Sequence, residues 1–364
     1  MTLAFGIFDH QEKRRDVMLH QQYEERLSLL VEADQAGFYA YHLAEHHQSP
    51  LCMAPSQSLF LAAAAQRTTR LRLGALVYLL PFYHPVRLIE EICMLDHLTG
   101  GRLQVGVGRG IAALEHSFWG HAPEEAQARF DESLAILIEG LTHDRLSYEG
   151  TYFRFDDLPM ELAPLQRPYP PLWYAGNAEY AARHGMHLIG SGGLRRLPET
   201  VARYRAVWQE HRGDPERLNP QVEAPKIGST RHLLVAETDA EADRIARRAW
   251  GAYDRNFPKR GYEGNAETTR AGAQRAASGP SLGGDFDLAC KVEAAIVGSP
   301  ETVRAYVTRY AAETGSNYFV ASFQWGDLTH AEALRSLRLF ALEIMPAVQQ
   351  PQQATTNPRL PTQE

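Results

Sequence analysis

The chain has 364 residues, enough for one large α/β barrel or two ordinary domains, and its 44% apolar and 22% charged residues are an ordinary globular balance. A formal net charge of −7 argues against non-specific binding to nucleic acid or to an anionic membrane surface, since both need a basic face. Cys52, Cys93 and Cys290 lie far apart without CxxC or Cys/His spacing, so neither a disulfide framework nor a zinc site is expected; with no signal-peptide pattern and no apolar run near the roughly 18 residues of a spanning helix, a reducing, cytoplasmic setting fits.

The N-terminal part alternates short apolar runs with helical patterns. LAFGIF (3–8) reads as a buried strand, and residues 23–38 as a helix with Leu27, Leu30 and Val31 at helical spacing and Gly37 as its stop. FYAYHLAEHH (38–47) is a second strand, 55–68 a second helix, LRLGALVYLL (71–80) a third strand, 84–101 a third helix, and RLQVGVGRG (102–110) a fourth strand. Nearly continuous apolar strands alternating with helices imply a parallel sheet covered on both faces.

The second part is less regular. Residues 126–141 read as a helix and 146–162 as a hairpin-like insertion around Glu149-Gly150. PLWYAG (171–176) and MHLIGSGG (186–193) are short strands, with helices at 178–185 and 197–212. KIGSTRHLLVAET (226–238) is a long strand, followed by a helix at 239–253 with Asp239 as an expected N-cap. Residues 257–287, rich in Gly, Ala, Ser and charge, read as a long mobile loop. Ser299-Pro300-Glu301 opens a helix to 315, NYFVASFQWG (317–326) is a final strand, and 329–346 a final helix. The tail 349–364 reads as disordered. Setting the insertion and the loop aside leaves eight strands, each followed by a helix, with no linker between halves. This pattern favours an α/β fold of one (β/α)₈ TIM barrel with insertions over residues 1–348.

In such a barrel the site lies at the C-terminal strand ends. Those ends carry Phe8-Asp9-His10, Glu45-His46-His47, Leu76-Val77, Gly108-Arg109-Gly110, Ala175-Gly176-Asn177 and Phe323 to Gly326. Arg109 between glycines can face a phosphate or pair with a neighbouring carboxylate; GVGRG lacks the GxGxxG dinucleotide spacing. Gly176, Asn177 and Ala178 can form an anion seat at a helix start, or an ordinary turn capped by Asn177. Adjacent histidines on a strand point to opposite faces, so His46 and His47 do not bind one metal; a single histidine facing the mouth can act as base or donor near neutrality. No serine lies in a GxSxG context.

With these residues in view, the sequence resembles the luciferase-like flavin-dependent monooxygenases. The most specific stretches are YHLAEHH (41–47), residues 71–110, PLWYAGNAEYAARHG (171–185) and FQWGDLTHAEALRSLRLFALEIMP (323–346). The resemblance implies a (β/α)₈ barrel that uses reduced FMN and dioxygen as cosubstrates, a separate flavin reductase as partner, and a homodimer. It implies that His46 acts beside the flavin during oxygen chemistry. It implies that Arg109, with the backbone of Ala175, Gly176 and Asn177, holds the FMN phosphate, and that a cis peptide at Leu76–Val77 lies beside the flavin ring. Phe8, Asp9, Phe118, Trp119 and Trp325 are the expected substrate contacts, and no metal is expected. The exit Gly190-Ser191-Gly192-Gly193 stands where bacterial luciferase carries a tryptophan, so neither light emission nor a long-chain aldehyde substrate is implied. Other readings are a deazaflavin-dependent dehydrogenase of the same superfamily, a non-catalytic flavin-binding protein and a metal-dependent barrel hydrolase.

Overall fold

In the computed structural model, residues 2–190, 192–215, 217–256 and 284–349 are described. The strands are β1 (Ala4–Asp9), β2 (Ala40–Leu43), β3 (Arg72–Leu79), β4 (Leu103–Gly108), β5 (Arg145–Glu149), β6 (Arg154–Pro159), β7 (Leu172–Ala175), β8 (His187–Gly190), β9 (Ile227–Val235), β10 (Ala295–Gly298) and β11 (Tyr318–Ser322). Eight of them, in the order β1-β2-β3-β4-β7-β8-β9-β11, pair in parallel; β11 pairs back to β1 and the β8–β9 pairing completes a closed barrel. The antiparallel β5–β6 hairpin is the expected insertion.

Alternation along each strand decides what fills the barrel and what meets the helices. On β1, Phe5 and Ile7 pack outward into the main core, whereas Ala4 and Phe8 join an interior cluster with Leu76, Trp173, Ile189, Tyr318 and Val320. A Cβ at Gly6 would run into the Tyr318 hydroxyl, so only glycine lets that ring cross the axis. Polar side chains in the interior pair with one another or with backbone. His42 Nε2 and the Tyr318 hydroxyl lie 2.8 Å apart, Trp173 Nε1 donates to Gln104 Oε1 at 2.8 Å, and the Lys226 N–H donates to His187 Nδ1 at 2.8 Å. Burial pushes His42 and His187 down to about 3, so both are neutral parts of a packed plug.

Several boundaries differ from the sequence reading. β2 ends at Leu43, so Glu45-His46-His47 lie beyond the strand. The long helix after β9 spans Asp239–Asn256, but its first turn is capped by Thr238, whose Oγ1 accepts from the Glu241 N–H at 3.2 Å. Asp239 instead accepts from the Ser299 N–H and the Thr302 hydroxyl. Ser299 caps the helix Pro300–Thr314 as expected. β10 was missed; it adds to the C-terminal half of β9 outside the barrel. Most of the expected loop 257–287 and tail 349–364 lies outside the described residues. At their described edges, Phe286–Lys291 is helical and Gln349 ends the last helix. Among the described residues, no helix is long and apolar enough to cross a membrane.

Candidate active site

The barrel order places the expected site residues on one arc of the C-terminal rim. β1, β2, β3, β4 and β7 are consecutive neighbours, and they deliver Phe8, His46, Leu76–Val77, Arg109 and Ala175–Asn177 in that order.

At the exit of β2, Glu115 holds the histidine pair in place. His46 Nδ1 lies 3.2 Å from Glu115 Oε1, which also accepts the backbone N–H of His47 at 2.9 Å. In its neutral form the His46 ring therefore carries its proton on Nδ1 and its lone pair on Nε2. His47 turns the other way: Nε2 meets Glu45 Oε1 at 2.7 Å, and its ring packs edge-on against Trp119 at 4.4 Å. The second Glu45 oxygen accepts from the Leu79 N–H and from the Tyr83 hydroxyl.

That hydroxyl also reaches Gln57 Oε1, and Gln57 Nε2 donates to the Val77 carbonyl at 3.1 Å. The Leu76–Val77 peptide is cis, as the resemblance implies, and the β3–β4 register shifts across it. β4 accommodates Val77 because residue 108 is glycine; a Cβ there would collide with Val77 Cγ2. One hydrogen-bonded chain thus runs from the buried Glu45 to the β3 exit.

Arg109 follows directly. Its side chain is half-buried and, among the described residues, its guanidinium has no ion pair or hydrogen bond. Of the two readings open from sequence, pairing with a carboxylate is not seen among the described residues. β4 pairs with β7, so Arg109 emerges beside the exposed Ala175-Gly176-Asn177 turn. Gly176 has φ of +115° and open space where a Cβ would stand, and the Gly176 N–H donates to the Ile189 carbonyl. The Asn177 side chain accepts from the Tyr180 N–H at 3.0 Å, capping the short helix.

The aromatic candidates separate. Phe8 faces inward and meets the His10 ring edge-on at 4.7 Å. Trp119 stacks on Phe82 at 4.5 Å and 7°, forming a wall beside His47, while Phe118 stands outside it at 45% exposure. Two expectations are corrected. Asp9 faces the helices rather than the mouth, where its carboxylate accepts from Arg26 Nε (2.8 Å), the Tyr41 hydroxyl (3.1 Å) and the Gln11 N–H (2.7 Å). Trp325 is 1% exposed and packed with Trp250, Leu234 and Phe286 beneath the helix Asp239–Asn256.

Sequence reasoning passed over Glu115, Gln57 and Tyr83, and gave no role to His10, which it placed at the exit of β1. The His10 ring lies 5.7 Å from that of His46; burial, then the neighbouring His46 and His232, hold it well below the usual imidazole range. Its position at the end of β1 was the available signal. Among the described residues, no group of three or more His, Cys, Asp or Glu could hold a metal ion.

The sequence profile of the family described as luciferase-like monooxygenase matches residues 3–317. The uncharacterized protein y4wF of Sinorhizobium fredii is 37% identical over 352 residues, covering 95% of this chain and 97% of that one. The oxygenase component of flavin-dependent trigonelline monooxygenase from Acinetobacter baylyi is 28% identical, over 66% of this chain and 67% of its own. Among solved structures, monooxygenase RslO1 of Streptomyces bottropensis superposes with a TM-score of 0.78 at 28% identity, covering 95% of this chain and 99% of its own. The oxygenating constituent of 3,6-diketocamphane monooxygenase from Pseudomonas putida, in complex with FMN, gives 0.76 at 22% identity over 95% and 98%. The coenzyme F420-dependent tetrahydromethanopterin reductase of Methanopyrus kandleri shares the fold, with a TM-score of 0.65 at 15% identity over 96% and 100%.

Proposed function

The chain belongs to the luciferase-like monooxygenase family, and from that membership we propose that it is the oxygenase component of a flavin-dependent monooxygenase, which uses reduced FMN from a separate reductase, and dioxygen, to oxygenate a small organic substrate. The observation that carries the reading is Arg109, a half-buried guanidinium without a protein partner among the described residues, beside the open Gly176 turn. Arginine and exposed backbone N–H groups suit a phosphate. The names of the relatives support the same reading, one being an oxygenase component and one structural neighbour holding FMN.

Reduced flavin supplies the electrons that activate dioxygen. The chain's own residues bind, orient and handle protons. Arg109 and the exposed turn Ala175-Gly176-Asn177 anchor the phosphate, the Gly176 N–H itself being engaged by the Ile189 carbonyl. The Leu76–Val77 peptide, held by Gln57, supports the ring. His46, with Nδ1–H directed at Glu115, exchanges its proton at Nε2. Phe8, Phe82 and Trp119 give the mouth apolar walls that keep water from the reacting atoms.

A second reading, a deazaflavin-dependent dehydrogenase, is favoured by the F420-dependent enzyme on the same fold. Anaerobic titration separates the two. Reduced FMN is expected to bind at least about tenfold more tightly than reduced F420. The opposite preference would replace the monooxygenase reading with the dehydrogenase one.

A further inference from the structure

Between the exits of β1 and β11 lies an open cleft of about 400 Å³, within the size range of small-molecule sites. Its walls are the segment Lys13–Asp16, the turn Gly326-Asp327 and the last turn of the helix Asp239–Asn256. Among the described residues, four cations line it: Lys13, Arg14, Arg15 and Arg255. Arg14 is neutralised, since its buried guanidinium bridges Asp16 and Glu25. The two carboxylates among its described lining residues are likewise engaged, Asp16 by Arg14 and Asp327 by Arg248. Lys13, Arg15 and Arg255 remain: their side chains have no ion pair or hydrogen bond among the described residues. In a chain of net charge −7 this convergence is not a general basic surface.

The backbone that presents the cations is fixed. The Lys13 N–H donates to the Pro50 carbonyl at 2.8 Å, the Lys13 carbonyl accepts from Asn256 Nδ2 at 3.1 Å, and the Arg14 N–H donates to Gln22 Oε1 at 3.1 Å. With Arg14 turned inward, its neighbours Lys13 and Arg15 stand exposed on either side. Lys13 follows His10 by three residues, and Glu12 between them accepts from the N–H of Gly326 in the cleft wall.

The barrel order determines which anion this can be. Arg109 and Gly176 mark the β4–β7 boundary, and the cleft lies at the β11–β1 boundary. In a ring of eight strands these boundaries are diametrically opposite. A flavin whose phosphate occupies the first does not place it in the second.

We propose that Lys13, Arg15 and Arg255 form a binding site for an oxyanion, a carboxylate or a phosphate, on the organic substrate, whose other end points toward His10 and His46. The assignment of that anion to a substrate rests on the monooxygenase reading; the existence of the anion site does not.

The test therefore uses protein without cofactor, with benzoate, phenyl phosphate and the neutral benzamide as calorimetric probes at low salt. At least one of the two anions is expected to bind about tenfold or more tightly than benzamide, and that preference is expected to disappear in the Arg15→Gln/Arg255→Gln double variant. Whichever anion binds more tightly identifies the oxyanion. Arg109→Ala is expected to leave benzoate affinity within about twofold, since its seat is across the mouth. Equal affinity for benzamide and both anions, or a double variant that keeps the preference, would overturn the proposal. Failure of the same protein to bind reduced FMN, titrated separately under anaerobic conditions, with the anion preference retained would instead count against the flavin reading alone. Both substitutions are at exposed positions, and an unchanged melting temperature verifies the fold of the variant.

Discussion

Glu115 and His46 are separated by 69 positions in the chain but meet at 3.2 Å. The carboxylate fixes which imidazole nitrogen carries the proton, and through the His47 N–H it also holds the backbone. Glu115→Ala is expected to bind reduced FMN within about twofold of the parent protein while slowing reoxidation of the bound flavin by about tenfold or more, since a proton-handling group is left without its orienting partner. Stopped-flow reoxidation beside anaerobic titration checks this; a variant that lost affinity and kept its rate would assign Glu115 to flavin binding. At this scale the sequence pointed to His46 and Arg109, which lie just beyond β2 and β4, and to the Leu76–Val77 pair inside β3. It did not show Glu115 or Gln57, because nothing local marks a contact that forms only when distant segments meet. Asp9 was misread for a different reason. It ends a strand, but the period-2 alternation that sends Phe5 and Ile7 outward sends Asp9 outward too, toward Arg26.

Among elements, β9 is longer than its barrel role requires. Residues 227–232 pair with β8 and β11, and residues 232–235 continue outward to pair with β10. β10 escaped notice because AIVG is a four-residue run beside a segment without pattern. The loop after β1 ties this side together through Glu12, whose Oε2 accepts the Gly326 N–H at 2.9 Å. Burial pushes the Glu12 carboxyl from 4.5 up to about 7, against the opposing pull of that N–H and of Arg26. A raised carboxyl means that the fold favours the protonated form. The associated stability is fully present below the ordinary carboxyl range and is lost as the pH rises through about 7. Glu12→Gln keeps an oxygen for Gly326 and cannot ionise. It is expected to be more stable than the parent by about 1–3 kcal/mol near pH 8, with the difference shrinking below about pH 5. Thermal unfolding at the two pH values measures this, and a variant no more stable at the higher pH would show that Glu12 ionises in the fold without cost.

For the whole molecule, the alternation of strand and helix was legible because parallel strands buried on both faces read as continuous apolar runs. Alternation alone also suits a doubly wound sheet; closure was read from eight strand–helix units without a linker between halves, and the β8–β9 pairing bears it out. Closure also gives the rim its division of labour. Arg109 and Gly176 lie at one boundary, His46 two strands from Arg109, and the cationic cleft opposite. On the proposed monooxygenase reading, this arrangement makes the flavin phosphate and the oxygen chemistry separable. Anaerobic titration of reduced FMN into the parent protein, Arg109→Ala and His46→Ala tests that separation. Loss of a charge-assisted hydrogen bond, about 1.5–3 kcal/mol, predicts that Arg109→Ala binds about tenfold to a hundredfold more weakly, with His46→Ala close to the parent. Unchanged affinity in Arg109→Ala, or a comparable loss in His46→Ala, would contradict this placement of the flavin.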